Sequence, residues 1–108
     1  MTGLSTHVLD TERGMPARGV RVSLHRGEQV LASAETDTDG RIADFGLSAL
    51  DQDVYRLVFD VGDYYARQGR MAPFLRRVSI EFHVDAAQGH YHVPLLITPF
   101  ACTSYRGS

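Results

Sequence analysis

The chain has 108 residues, of which 44% are apolar and 22% charged, with a formal net charge of −2. That composition fits one folded domain over residues 1–108 and excludes a disordered tail, a collagen-like repeat and a coiled coil. No apolar run approaches the roughly 20 residues of a membrane helix, and the slightly acidic balance gives no electrostatic footprint for nucleic acid.

Taken in chain order, the apolar residues alternate with polar ones over short runs, the period of half-buried strands. The clearest runs are Val20, Val22 and Leu24, then Tyr55, Leu57, Phe59 and Val61, then Val78, Ile80, Phe82 and Val84. Weaker strand candidates are 4–9, 30–35, 41–45, 90–97 and 100–106. Turn chemistry separates them: Arg26-Gly27-Glu28, Asp39-Gly40, Ala87-Gln88-Gly89 and Thr98-Pro99 each predict a hairpin. Seven or eight strands at this spacing predict an all-β antiparallel sandwich. One segment breaks the rhythm. Asp63 is expected to cap a short helix running to Gln68, with Gly69 ending it after the fifth strand. Pro94 lies inside a strand pattern and cannot donate to a ladder, so it is expected at an edge or a bulge. With Leu95, Leu96 and Ile97 beside it, the same strand is a candidate apolar subunit interface.

The chemistry-bearing residues are few. All 11 positive side chains are Arg, which removes lysine-amine chemistry. The one cysteine, Cys102, allows no internal disulfide and reads as a buried structural thiol in a reducing compartment. Met1-Thr2-Gly3-Leu4 lacks the pattern of a secretory leader. His25 and His83 fall on polar strand faces and are expected at the solvated surface. His90 and His92 are two apart, so both side chains leave one face. A zinc site would need a third ligand, which no motif supplies, and His7 would serve only if folding brought it close. Glu35-Thr36-Asp37-Thr38-Asp39-Gly40 looks like the start of a calcium loop, but its twelfth position is Gly46 rather than a bidentate Glu, so a tight turn is expected. Arg41, just after it, would be a surface charge or a rigid fork for a carbonyl-rich ligand. On residues alone, the sequence reaches a small β-sandwich with a histidine-rich strand.

Four segments carry more: Leu4-Ser5-Thr6-His7-Val8-Leu9-Asp10 with Gly14-Met15-Pro16-Ala17, then Thr38-Asp39-Gly40-Arg41, then His90-Tyr91-His92-Val93-Pro94-Leu95-Leu96, and the closing Tyr105-Arg106-Gly107-Ser108. In this order and spacing the chain resembles the 5-hydroxyisourate hydrolases of the transthyretin-like family. The Tyr-Arg-Gly-Ser tail and the active-site histidine pair mark the hydrolase branch; the thyroid-hormone carriers lack them.

The resemblance implies a sandwich of two four-stranded sheets with one short α-helix. It implies a homotetramer, a dimer of dimers, whose active sites lie in a central channel between subunits. The implied reaction is hydrolytic ring opening of 5-hydroxyisourate to 2-oxo-4-hydroxy-4-carboxy-5-ureidoimidazoline, with no metal or organic cofactor. The implied catalytic residues are His7, Arg41, His92 and Ser108. Of the two histidines, one activates water and the other orients it or shuttles a proton. Arg41 binds the urate-like oxygens, and Ser108 acts through its hydroxyl or a terminal carboxylate. Tyr105 joins His7, Arg41 and Ser108 in substrate binding, and Arg106 secures the tail. Ala101-Cys102 departs from the Gly and aromatic residue of many members, which leaves the channel packing open. A bacterial cytoplasmic enzyme is expected. The alternatives are a non-catalytic carrier of small hydrophobic ligands in the same channel and a protein-interaction module using an exposed edge.

Overall fold

The computed structural model describes residues 3–108; Met1 and Thr2, part of the segment read as lacking a leader, lie outside the described residues. The elements are β1 (Gly3–Asp10), β2 (Met15–Pro16), β3 (Arg21–Arg26), β4 (Gln29–Glu35), β5 (Arg41–Ile42), β6 (Asp53–Phe59), α1 (Val61–Arg67), β7 (Val78–Val84), β8 (His90–Ile97) and β9 (Cys102–Ser104). They form two sheets. One has the order β4-β3-β6-β7. The other has the order β2-β1-β8-β9, with β5 also paired to β1.

The period-two alternation decides what each strand buries. Leu4, Val8, Val22, Leu24, Tyr55, Leu57, Phe59, Val84, Val93, Leu95 and Ile97 pack between the sheets. Complete burial of an aliphatic side chain of this size contributes about 1.5–3 kcal/mol. The outward residues of β1, Ser5 and His7, are left half-buried on the opposite face. Two polar side chains also point inward from β1. The Thr6 hydroxyl donates to the Val93 carbonyl at 2.6 Å. Asp10 accepts from the Glu12 and Arg13 backbone N–H groups, the Tyr64 hydroxyl and Arg70, whose guanidinium lies 2.6 Å away and also pairs with Glu12. Burial opposes charge on Asp10, but these hydrogen bonds outweigh it and hold its carboxyl below the ordinary carboxylate value.

Several expectations are corrected. The sandwich is not wholly antiparallel: β1 and β8 pair in parallel, from Gly3↔His90 to Asp10↔Ile97. Turn residues report only sequence neighbours, whereas parallel partners need a long crossover. Here the crossover is most of the chain. For the same reason, only two of the expected hairpins join paired strands, β3–β4 at Gly27 and β8–β9 at Thr98-Pro99. The Asp39-Gly40 and Ala87–Gly89 turns instead carry the chain from one sheet to the other. The expected four lanes per sheet hold, because β2 and β5 share the free edge of β1. β2 covers Leu9 and Asp10, and β5 covers Thr6 and His7. The strand expected over 41–45 shortens to Arg41–Ile42, and that over 100–106 to Cys102–Ser104.

The helix starts earlier than expected. Asp60, not Asp63, is the N-cap, its carboxylate accepting from the Asp63 N–H at 3.2 Å. Val61, assigned to the fifth strand by alternation, is fully buried as the first helical residue. Asp63 instead forms an i,i+4 ion pair with Arg67 at 2.9 Å. Gly69, at φ 66°, ends the helix as anticipated, with the Arg70 N–H closing onto the Tyr65 carbonyl. Among the described residues, no helix is long and apolar enough to cross a membrane.

Pro94 sits in β8, an interior strand, so it is not at an edge. Its missing N–H falls where the ladder to the C-terminal segment is broken. Leu95 pairs with Ser104 and the next bridge is His92 to Gly107 in the same register, so no residue is inserted and there is no bulge; the ladder is only interrupted where Val93 and Pro94 face Tyr105 and Arg106. The Ser104 hydroxyl donates to the Pro94 carbonyl at 2.8 Å across that gap. Leu95 and Ile97 point into the core, so the apolar run beside Pro94 is not an exposed patch. Cys102 is exposed rather than buried in the single chain, because β9 is a three-residue strand at the edge of its sheet.

Candidate active site

The outer face of β1, β5 and β8 gathers the polar residues. His7 is the register partner of Arg41 across β1–β5. Ser5 is the partner of His92 across β1–β8, although the two are 87 positions apart in sequence. Strand alternation then sends Ser5, His7, His90 and His92 out on the same side.

The loop before Arg41 is built by Asp37. One carboxylate oxygen accepts from the Asp39 N–H at 2.9 Å and from the Arg41 N–H at 3.0 Å. The Arg41 N–H is the main cause holding the Asp37 carboxyl below its ordinary value. The calcium-like sequence is therefore a tight turn, as expected. Gly40 takes φ 73° and lies so close to β1 that a side chain there would collide with the Val8 carbonyl oxygen. The Val8 N–H donates to the Gly40 carbonyl at 2.7 Å, and His7 Nε2 lies 2.9 Å from the Asp39 carbonyl. A carbonyl only accepts, so His7 carries a proton on Nε2 and its Nδ1 holds a lone pair when neutral. The Arg41 side chain is exposed and forms no ion pair with a described residue.

The C-terminal tail reaches the same face. The Gly107 N–H donates to the His92 carbonyl at 2.7 Å. Arg106 lies 4.4 Å over the Tyr91 ring and hydrogen-bonds the His90 carbonyl at 3.3 Å, fastening the tail as anticipated. Ser108 then lines an open depression of about 260 Å3 with Ser5, Arg41, Ile42, His90 and His92. His92 is half-buried. Desolvation first, then the positive field of Arg41 and the neighbouring His7 and His90, lower its pKa below the ordinary 6.5; a backbone hydrogen bond at Ser5 partly offsets this.

Of the residues expected in the site, Arg41, His92 and Ser108 line this depression, and His7 stands beside it as the partner of Arg41. Tyr105 does not line it. It borders a separate apolar groove with Ile80, Phe82, Tyr91 and Val93. Two further residues belong to the site, Ser5 and His90. The Ser5 hydroxyl lies 2.8 Å from His90 Nε2 and 2.8 Å from His92 Nδ1. Ser5 was detectable as the residue two before His7 on one strand face, and His90 as the residue two before His92. His83 is exposed as expected, while His25 is half-buried and bonded to Ser23. Among the described residues no group of three His, Cys, Asp or Glu side chains is placed to hold a metal ion.

A two-sheet sandwich with a histidine- and arginine-bearing outer face reached by the C-terminal tail defines a class, and the chain belongs to it: residues 4–107 match the HIUase/Transthyretin family. It is 42% identical to a 5-hydroxyisourate hydrolase of Pseudomonas aeruginosa, over 100% of this chain and 93% of that protein. It is 46% identical to the 5-hydroxyisourate hydrolase of Deinococcus radiodurans, over 98% and 96% of the two chains. Among solved structures, the 5-hydroxyisourate hydrolase of Klebsiella pneumoniae superposes with a TM-score of 0.92 at 42% identity, covering 100% of both chains. Sea bream transthyretin in complex with thyroxine superposes at 0.86 with 27% identity, over 97% and 94%.

Proposed function

We propose that this chain, as one catalytic domain, hydrolyses 5-hydroxyisourate in urate degradation. The observation that carries this reading is the convergence of His7, Arg41, His92 and Ser108 on one sheet face, in a chain whose full-length relatives are hydrolases of that name.

The reaction adds water across a cyclic amide. The water oxygen bonds to the carbonyl carbon, the C–N bond breaks, and the water's proton ends on the leaving nitrogen. Three tasks follow: a base for the water, a cation for the developing oxyanion, and a proton for the nitrogen. An imidazole with a lowered pKa stays neutral, and so able to accept a proton, at neutral pH. The Arg41 guanidinium forms no ion pair with a described residue and offers its forked donors to the oxygens of a urate-like ring. Ser108 adds a hydroxyl that positions the ring or the water. A carrier of hydrophobic ligands would need an apolar face here; this face holds three imidazoles, a guanidinium and two serine hydroxyls.

The same reading makes the active particle a homotetramer, a dimer of dimers, with each site completed at a subunit interface. The depression is open in the single chain, and exposed Met71, Phe74 and Phe100 supply apolar surface of the kind a partner covers. Sedimentation equilibrium tests this, and a monomeric active enzyme would contradict it. A bacterial cytoplasmic location belongs to the proposal too, supported by the bacterial origin of the relatives. For the chemistry, fresh substrate in isotopically labelled water is followed with and without protein. The expected result is faster appearance of a ring-opened acid carrying one labelled oxygen. Equal rates in both samples refute the proposal.

A further inference from the structure

The hydroxyl between His90 and His92 does more than fill space. It carries one proton, so it donates to one ring while accepting from the other. The arrangement is set by backbone register. Gly3 and Ser5 of β1 are the partners of His90 and His92 in the parallel ladder. Gly3 has no side chain, and the His90 ring occupies that space; a Cβ on Gly3 would stand 2.7 Å from His90 Nδ1. The ring thus lies over Gly3 with Nε2 on Ser5.

The two orientations of the hydroxyl are two proton states of one chain. In the first, His92 Nδ1–H donates to Ser5, Ser5 donates to His90 Nε2, and His92 Nε2 is bare. In the second every bond is reversed and His92 Nε2 carries the proton. His7 has no such freedom, because the Asp39 carbonyl requires a proton on His7 Nε2.

We propose that Ser5 and His90 form a proton relay behind His92, which makes His92 the group that takes the proton from the attacking water and returns it to the leaving nitrogen. This rests on the hydrolase reading above. As the water oxygen bonds to carbon, its proton goes to His92 Nε2, the Nδ1 proton passes to Ser5 Oγ, and the Ser5 proton passes to His90 Nε2. Positive charge then rests on His90, which is exposed to solvent, instead of on half-buried His92. The groups facing His92 favour that transfer: Arg41 from β5, His7 from β1 and His90 on its own strand all disfavour a cation there. When the C–N bond breaks, the transfers reverse and His92 Nε2 gives its proton to the nitrogen. Both rings and the hydroxyl end as they began. Ser5 and His90 are positioning residues, acting through His92.

The test compares Ser5→Ala, Ser5→Thr and His90→Gln with the parent by kinetics in light and heavy water, and by nitrogen NMR of ring-labelled histidine. Ser5→Ala and His90→Gln should each lower kcat about tenfold or more with KM little changed. Ser5→Thr, which keeps the hydroxyl, should recover most of the loss. The His92 ring signals should report mixed tautomers in the parent and one tautomer in Ser5→Ala. Parental kcat and isotope dependence in Ser5→Ala, or equal losses in Ser5→Ala and Ser5→Thr, would overturn the relay. If the parent itself fails to outpace spontaneous decay, the hydrolase reading falls instead, and unchanged His92 tautomers in Ser5→Ala would still overturn the relay separately.

Discussion

Gly107 and His92 are joined twice: the Gly107 N–H donates to the His92 carbonyl, and the place of a Cβ on Gly107 lies 2.6 Å from His92 Cδ2. The tail can lie against the imidazole only because residue 107 has no side chain. Gly107→Ala must push either the tail or the ring away, moving Ser108 out of the depression. Because the segment is near the surface, stability should change little. We expect turnover to fall by about tenfold or more, since loss of positioning acts on the barrier, with an unchanged melting temperature. A variant with parental turnover would separate the tail from the mechanism.

His7→Ala and His92→Ala should each lower turnover by roughly 10²-fold or more, the usual worth of a general acid–base group. Both side chains are half-buried on the outer face, so the fold should survive, as circular dichroism would show. The pH profile carries a further sign. The His92 pKa is lowered, so its neutral form persists to more acid solution than an ordinary imidazole allows. Activity should therefore hold as pH falls through 6.5 and decline only below it. An acid limb centred above 6.5 would contradict this.

Asp10 and Arg70 make a prediction about stability. Asp10 is fully buried and its pKa is depressed in the fold from 3.8. The stabilisation from that depression is present above the unfolded value and is lost as pH falls through the folded one. Arg70→Met removes the partner of a buried carboxylate and should cost about 3 kcal/mol in urea unfolding at neutral pH. The loss should shrink in acid solution, where Asp10 is protonated in both proteins. A pH-independent difference would show that Arg70 acts by packing alone, over the Tyr65 ring that it overlies at 4.6 Å.

Tyr65 predicts the opposite sign. Its side chain is fully buried, and its hydroxyl has no hydrogen-bond partner among the described residues. Burial raises its pKa strongly, so the phenol remains neutral. Tyr65→Phe removes an unsatisfied buried polar group and should leave stability equal or increase it by about 1 kcal/mol. A clear loss on denaturant unfolding would reveal a partner for that hydroxyl.

Much of this architecture is legible in the sequence because period-two burial is a local property. Val22, Leu24, Leu57 and Val84 face the core as their alternation requires. The C-terminal end of the helix is legible for the same reason, in Gly69. The parallel pairing of β1 with β8 was not, since nothing near Gly3 or His90 encodes their adjacency. The exposure of Cys102 also depends on which strand ends up at an edge, a long-range outcome. At the site, the motifs gave His7, Arg41, His92 and Ser108. They gave no account of Ser5 or His90, whose roles exist only once two distant strands align in register. Tyr105 borders a different groove from Ser108 in the single chain, a placement that depends on the path of the tail and that the Tyr-Arg-Gly-Ser motif does not encode.

The most direct measurement follows the ultraviolet decay of freshly generated 5-hydroxyisourate with the parent protein, with His92→Ala, and with neither. The account predicts decay well above the spontaneous rate for the parent and a return close to background for the variant. Decay with the parent no faster than in buffer alone would contradict the claim that this face performs the hydrolysis.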